Sequence, residues 1–162
     1  MKIAIADTDI LSSFGKVGRV GLLQRLFPKI HISPAVHREL MKAEQAGLRW
    51  IASVQAAVES LALTKAQTKE VGHLVIAYPQ LGIGEVETFV LAKAYRALCL
   101  TNDRQAKRVC HALGLQFLDL EEILRALKVK EIMTSQALEQ LIVQIEDRDH
   151  TRIKAKNQIL RD

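Results

Sequence analysis

Short apolar segments alternate with helix-like segments along most of the chain, and this alternation constrains the fold more than any other feature. The first segment, Lys2–Ala6, is almost continuously apolar, which is typical of a parallel strand that is covered on both faces. Strands are predicted at Lys2–Ala6, Ile30–Ser33, Ser60–Leu63, Leu98–Thr101 and Leu115–Leu118. Because helices are predicted between them, the sequence indicates an α/β fold, a three-layer α/β/α sandwich around a central parallel sheet.

The helices are predicted from apolar spacing and from the positions of proline and glycine. Pro34 suits the first turn of a helix, and Gly47 ends that helical stretch. The predicted helices cover Ile10–Phe14, Arg19–Leu26, Ala35–Ala46, Trp50–Glu59, Ala66–Tyr78, Glu85–Ala97 and Arg104–Leu113. The segment from Glu121 to Leu160 is also predicted to be helical and antiparallel. A chain of 162 residues suits one domain with a real core.

The composition is that of an ordinary globular protein, with 49% hydrophobic and 25% charged residues. No apolar run approaches the roughly 20 residues of a membrane span, and the N-terminus lacks the layout of a signal peptide. We therefore expect a cytoplasmic location and no membrane partner. Cys99 and Cys110 form no CxxC pair and are expected to be reduced, buried thiols.

The formal net charge of +5 makes a polyanionic partner plausible, although charge alone does not establish one. Aromatic residues make up only 4% of the chain, which disfavours recognition by stacking on bases. Contact with a phosphate backbone remains open. Arg104, Lys107 and Arg108 fall at helical spacing and are candidates for that contact, although a solvated helix face explains them equally well.

Acidic residues follow two of the predicted strands. Asp7 and Asp9 come directly after the first strand, and Asp103 follows Leu98–Thr101. In open parallel sheets, sites form at the carboxyl ends of strands, so Asp7 and Asp103 would share a crevice if their strands are neighbours. Helix capping is the simpler explanation for Asp9, as the cap of the Ile10 helix, and for Asp103. Asp7 is harder to explain in that way because it abuts a buried strand.

Three glutamates lie near the starts of predicted helices, namely Glu39, Glu85 and Glu87. Acids at such positions are favoured by the helix dipole, which explains them without any shared site. If they gather with Asp7 and Asp103, however, the carboxylates require a counter-charge. Oxygen ligands of this kind suit Mg²⁺ or Mn²⁺. Such a site would activate water for hydrolysis of a phosphodiester.

Two long segments resemble the PIN-domain family in the order of their motifs. They read IADTDILSSFGKVGRVGLLQRLFPKIHISPAVHREL and LGIGEVETFVLAKAYRALCLTNDRQAKRVCHALGLQFLDL. The resemblance is strongest to the branch related to VapBC-type toxin ribonucleases, and it spans residues 1–130. It implies a PIN-like nuclease domain over 1–130, followed by a helical extension over 131–162 that packs on the same domain.

The resemblance implies an endoribonuclease that depends on Mg²⁺ or Mn²⁺. Asp7, Glu39 and Asp103 match the acidic positions of the family directly. The remaining acidic position matches Glu85, or Glu87 under another alignment. The implied catalytic residues are Asp7, Glu39, Glu85 and Asp103, and the implied metal ligands are Asp7, Asp103, Glu85 and Glu87.

Further implications concern supporting residues and partners. Thr8 and Asp9 would support the site beside the first strand, although the family more often has Asn or Ser at the position of Asp9. Thr101 and Asn102 would do so beside Asp103. RNA, an antitoxin protein and a second copy of the chain are the expected partners.

Two other functions remain open. The stretch DTDIL also resembles the start of haloacid-dehalogenase-type phosphatases, in which Asp7 would be a nucleophile and Asp9 a general acid and base. That function needs a later acidic element of the Gly-Asp-x-x-x-Asp type, and the sequence offers no convincing version of it. The other alternative is a PIN-like module that binds RNA or protein without cleaving it.

Overall fold

The central sheet has five parallel strands, with the first strand in the middle. The structure, a computed structural model, describes residues 3–162. The strands are β1 (Ala4–Ala6), β2 (Ile30–Ile32), β3 (Glu59–Ser60), β4 (Leu98–Leu100) and β5 (Phe117–Leu118). Their order is β3-β2-β1-β4-β5. Ala4 lies opposite Ile30 on one side and Leu98 on the other, so β1 and β4 are neighbours.

Ten helices cover the two faces of this sheet in residues 3–162. They are α1 (Thr8–Gly15), α2 (Val20–Leu26), α3 (Pro34–Gln45), α4 (Ile51–Ala57), α5 (Lys65–Ala77), α6 (Ile83–Tyr95), α7 (Arg104–Ala112), α8 (Leu120–Val129), α9 (Ser135–Arg148) and α10 (Lys156–Arg161). Helices α5, α6 and α7 pack on one face, and the other seven contribute to the core on the opposite face. The predicted three-layer α/β/α sandwich is confirmed.

Alternation of side chains explains why the first strand is apolar throughout. Ala4 and Ala6 belong to the larger hydrophobic cluster, whereas Ile5 belongs to the cluster beneath α5, α6 and α7. Successive side chains of a strand point to opposite faces, so a central strand with helices on both sides has no polar position.

The segment after α8 is less continuous than the sequence suggests. It forms α9 and α10, separated by a non-helical stretch over residues 149–155. Asp149 accepts hydrogen bonds from the Ser13 hydroxyl at 2.6 Å and from Lys16 Nζ at 2.8 Å. Leu138 on α9 and Ile159 on α10 are fully buried in the larger cluster. The C-terminal segment is thus part of the core and is fastened to α1.

The third strand differs from its prediction. It covers Glu59–Ser60 instead of Ser60–Leu63, and α4 ends at Ala57 rather than Glu59. Pairing with β2 explains the shift, because His31 lies opposite Glu59 and Ile32 lies opposite Ser60. Lys2, which belongs to the first predicted strand, lies outside the described residues.

Hydropathy gives no sign of a membrane-crossing helix. Within residues 3–162, none of the helices combines the length and the apolar character that crossing a bilayer requires.

Candidate functional site

Asp7 lies where β1 ends and α1 begins. Its backbone N–H donates to the carbonyl of Leu100 at 2.9 Å, which ties it to the end of β4. Its side chain accepts a hydrogen bond from the backbone N–H of Thr8 at 2.8 Å. Asp7 is therefore the N-cap of α1, and it is only 7% exposed. Capping uses one carboxylate oxygen and leaves the other available.

Asp9 connects the ends of the two central strands. One carboxylate oxygen accepts from the N–H of Ile10 at 2.7 Å, and the other accepts from the N–H of Asn102 at 2.9 Å. The helix begins at Thr8 rather than at Ile10, so the interpretation of Asp9 as its N-cap is wrong. Both oxygens of Asp9 are occupied by backbone donors, which gives this side chain a positioning role.

Asp103 caps α7 at the end of β4. Its side chain accepts from the N–H of Ala106 at 2.8 Å, as the capping explanation requires. The Thr101 hydroxyl accepts from the N–H of Asp103 at 3.4 Å. The side-chain oxygen of Asn102 accepts from the N–H of Leu120 at 3.3 Å, which fixes the turn before Asp103. Capping does not remove Asp103 from the site, because the residue also lines the cleft described below.

Glu39 reaches the same region from α3. Its carboxylate accepts a hydrogen bond from the Thr8 hydroxyl, which joins α3 to the first turn of α1. Gly84 lies directly against it, since a Cβ at that position would be 3.1 Å from Glu39 Oε1 and 3.2 Å from Val36 Cγ2. No sequence pattern indicates this close approach.

Glu85 and Glu87 point in different directions from α6. Glu85 accepts from the N–H of Gly82 at 3.0 Å in a capping box and lines the cleft. Glu87 is 4% exposed and accepts from the N–H of Ala35 at 2.8 Å, with Arg38 Nη2 at 3.9 Å. Glu87 does not line the cleft and instead stabilises the start of α3. Its assignment as a metal ligand gains no support from this placement.

The side chains at the carboxyl ends of β1 and β4 enclose one cleft of about 240 Å³. Five carboxylates line it, those of Asp7, Asp9, Glu39, Glu85 and Asp103. Thr8, Gly82 and Gly84 complete its lining, so none of the lining residues found in the described part of the chain is basic.

Burial, and after it the neighbouring carboxylates, raises the pKa of three of these carboxyls. Burial raises the pKa of Asp7 well above 3.8, and the charges of Asp9, Glu85 and Glu39 add to the effect. Burial and the charge of Asp103 raise the pKa of Asp9. The pKa of Glu85 is also raised, first by burial and then by the surrounding carboxylates. Ionising these carboxyls together is therefore unfavourable unless a counter-charge is bound.

The donor set suits a hard divalent cation in its chemistry, since it consists of carboxylate oxygens and a hydroxyl. Across residues 3–162, however, no three His, Cys, Asp or Glu side chains are placed to hold a metal ion together. Binding would therefore require side-chain rotations within the cleft. Of the lining residues, Asp103 is exposed and Glu85 is half-buried, and a rotation of either would redirect the hydrogen bond that its carboxylate accepts from the backbone.

The three predicted nucleic-acid-binding residues lie in different surroundings. Lys107 pairs with Asp119 at 3.1 Å. Arg104 and Lys107 line a second cavity, of about 320 Å³. Arg108 is exposed and lines neither this cavity nor the cleft.

Gly84→Ala tests whether the cleft is catalytic, because turnover at such a site should fall while the fold is largely kept. The new methyl would displace the Glu39 carboxylate by a few tenths of an ångström. A misplacement of about 1 Å can cost ~100-fold in rate, so we expect a loss of several-fold. Alanine favours the helix, but its Cβ would also lie 3.2 Å from Cγ2 of the buried Val36, so the melting temperature should fall slightly. Gly82→Ala is the matched comparison, because its Cβ would meet only Glu85 Oε2, at 3.9 Å. A loss as large for Gly82→Ala would contradict the packing argument.

A family model described as a PIN domain (DUF3368) matches residues 3–161. No curated protein sequence gives a significant match. Among solved structures, a chain of VapBC2 from Rickettsia felis, bound to a promoter DNA fragment, matches with a TM-score of 0.55 and 20% identity, covering 72% of this chain and 98% of that chain.

Two further structures have the same fold. VapBC-1 from nontypeable Haemophilus influenzae gives a TM-score of 0.54 at 17% identity, covering 72% of this chain and 97% of that one. VapC20 of Mycobacterium tuberculosis, a toxin that cleaves the sarcin-ricin loop, gives 0.52 at 16% identity, covering 65% and 94%. At these identities the structures show a shared fold, whereas the family model spans nearly the whole chain. The chain belongs to the PIN-domain family.

Proposed function

We propose that the protein is an endoribonuclease that depends on Mg²⁺ or Mn²⁺. The observation that carries the proposal is the cleft at the ends of β1 and β4, which five carboxylates line without a basic side chain among its lining residues in the described range 3–162. In a member of the PIN-domain family, this excess of negative charge favours a divalent cation that engages phosphate oxygens. The similarity in fold to a sarcin-ricin loop-cleaving toxin supports RNA as the substrate.

The residues have different roles in this proposal. Asp7, Glu85 and Asp103 would hold the cation, which when bound supplies an activated water and stabilises the leaving oxygen. Glu39 would complete the acidic set, held by its hydrogen bond from Thr8. Asp9 would fix the spacing between Asp7 and Asp103, because its carboxylate binds the backbone of the turn before Asp103.

We further propose that the protein is the toxin of a toxin–antitoxin pair, acting in the cytoplasm as a homodimer. Two of the structures similar in fold are VapBC assemblies, which supports an antitoxin partner for this chain. Co-expression with the product of a small neighbouring open reading frame tests this part. We expect a stable complex in which cleavage of RNA is suppressed.

The central test is cleavage of labelled RNA by purified protein with Mn²⁺, with Mg²⁺ or with EDTA. We expect cleavage with a divalent cation and none with EDTA. An Asp7→Asn preparation, purified in parallel, controls for contaminating ribonuclease. Equal cleavage by the two preparations would refute the nuclease function.

The same experiment separates the alternatives. Binding of RNA without turnover in any metal would support a non-cleaving module. Formation of a phospho-aspartate from a phosphate ester would support the phosphatase mechanism, against which the family assignment argues.

A further inference from the structure

The second cavity, of about 320 Å³, adjoins the acidic cleft. Asn102 lines this cavity, and its neighbour Asp103 lines the cleft. The backbone N–H of Asn102 binds Asp9, while its side-chain oxygen binds the N–H of Leu120. Asn102 is therefore held in place between the two, and a ligand strand that left the cleft past Asp103 would reach the cavity.

The non-helical stretch between α9 and α10 forms the far wall of the cavity. Its centre is anchored, because Ile153 is 2% exposed and its N–H donates to Glu146 at 3.1 Å. The N–H of Ala155 donates to Glu121 at 3.2 Å. Arg152 and Lys154, on either side of Ile153, are exposed and line the cavity. Thr151 and Ile153 line the cavity as well, so the whole anchored stretch forms this wall.

The charges in the cavity leave an excess of positive side chains. Arg104, Lys107, Arg152 and Lys154 line the cavity together with Asp119 and Glu121, so the basic side chains outnumber the acidic ones. Asp119 is paired with Lys107, and Glu121 accepts a hydrogen bond from the N–H of Ala155. Arg104, Arg152 and Lys154 take part in none of the ion pairs found within residues 3–162. Three cationic side chains thus face one cavity beside a cleft of opposite charge.

We propose that Arg104, Arg152 and Lys154 form a subsite for backbone phosphates of the RNA strand next to the scissile phosphate. The inference rests on the proposed ribonuclease function and assigns the stretch between α9 and α10 a role in holding substrate. Phosphate is the ligand that the chemistry favours, because the cavity is lined by Arg and Lys and by no aromatic side chain within the described part of the chain. The subsite therefore contributes affinity without base preference.

The test is the binding of a short, unstructured, fluorescein-labelled RNA, measured by anisotropy in EDTA across a salt series. We expect Arg152→Ala/Lys154→Ala to bind about tenfold more weakly at low salt. The slope of log affinity against log salt should fall by about 0.7 for each phosphate that the variant no longer neutralises. Lys65→Ala/Lys69→Ala removes the same charge from exposed positions on α5 and should match the wild type. Circular dichroism checks that each variant folds. We expect both to fold, because neither changes the buried anchor Ile153.

The cleavage assay with Mn²⁺ separates this inference from the proposed function. A raised KM with an unchanged kcat for Arg152→Ala/Lys154→Ala supports the subsite. If the wild type cleaves RNA and the double variant matches it in affinity, salt slope and KM, the subsite is refuted while the ribonuclease function stands. If the wild type binds RNA through these residues without cleaving it, the ribonuclease function fails and the phosphate subsite stands. Equal weakening in the α5 variant would also refute the subsite, because net charge alone would then explain the effect.

Discussion

Asp7→Asn is expected to lower metal-dependent RNA cleavage by more than about 100-fold and, at the same time, to raise the melting temperature of the metal-free protein. The loss exceeds the roughly 10–100-fold typical of residues that only support metal ligands, because Asp7 is proposed to contact the cation itself. The gain in stability arises because burial and neighbouring carboxylates oppose the ionised form of Asp7. Asparagine can still accept the capping hydrogen bond from Thr8.

The pH dependence of stability tests the expected gain in stability of Asp7→Asn. The pKa of Asp7 is raised in the folded protein, so the folded state binds more protons than the unfolded state above pH 3.8. In EDTA, the free energy of unfolding should therefore fall as the pH rises from about 4 through the raised pKa. Asp7→Asn should make this decline shallower, although Asp9 and Glu85 will retain part of it. Urea unfolding at a series of pH values measures the effect.

Glu87→Gln is the matched control for Asp7→Asn. Its carboxylate is buried outside the cleft and binds the N–H of Ala35 at the start of α3. Losing the charge should cost about 1 kcal/mol of stability and leave cleavage close to that of the wild type. Asp7→Asn would then be stable and inactive, whereas Glu87→Gln would be less stable and active. The opposite pattern would place Glu87, and not Asp7, in the reactive centre.

Gly15→Ala is expected to destabilise the fold by about 1–3 kcal/mol. Gly15 is the last residue of α1, and a Cβ there would lie 2.6 Å from Trp50 Cε3 and 2.8 Å from Val54 Cγ2. Separations under 3.0 Å require movement, which is restricted because Val54 is fully buried and the partly buried indole of Trp50 packs against the core. Urea unfolding should show a lower midpoint with an unchanged m-value.

Gly21→Ala provides the comparison, because that glycine lies in α2 with open space where its Cβ would be. It should stabilise the protein by up to about 1 kcal/mol through helix propensity. If the two substitutions changed stability equally, the contact between α1 and α4 would be looser than the structure shows.

Much of the fold follows from local pattern, and the differences from the predicted elements have physical causes. The apolar run before Asp7 indicates a central strand because both of its faces are buried, and Pro34 marks the start of α3. The shortest strand is misplaced in the prediction because two residues carry little periodicity and their pairing is decided by β2. The stretch between α9 and α10 is predicted to be helical but is not. Its backbone is anchored by hydrogen bonds to Glu146 and Glu121, which helical spacing does not reveal.

The sequence indicates which residues belong to the candidate site better than it indicates how they are arranged. Strand ends bring Asp7 and Asp103 together, as the order of β1 and β4 requires. Spacing alone does not separate Glu85 from Glu87, although residues two apart lie on different faces of a helix. Packing against α3 decides between them. The resemblance implies a supporting role for Asp9, but spacing does not reveal its partner, the N–H of Asn102, which is far away in sequence.

Three carboxylates of the cleft accept hydrogen bonds from backbone amides at the starts of helices. The amides of Thr8, Gly82 and Ala106 donate to Asp7, Glu85 and Asp103, respectively. A ligand that draws these carboxylates into new positions must lengthen or redirect those hydrogen bonds. In a ¹⁵N-labelled sample, the resonances of the three amides should therefore shift together during titration with a diamagnetic cation such as Mg²⁺. The spectrum would then report binding of the cation at these carboxylates, without any nucleic acid and without turnover.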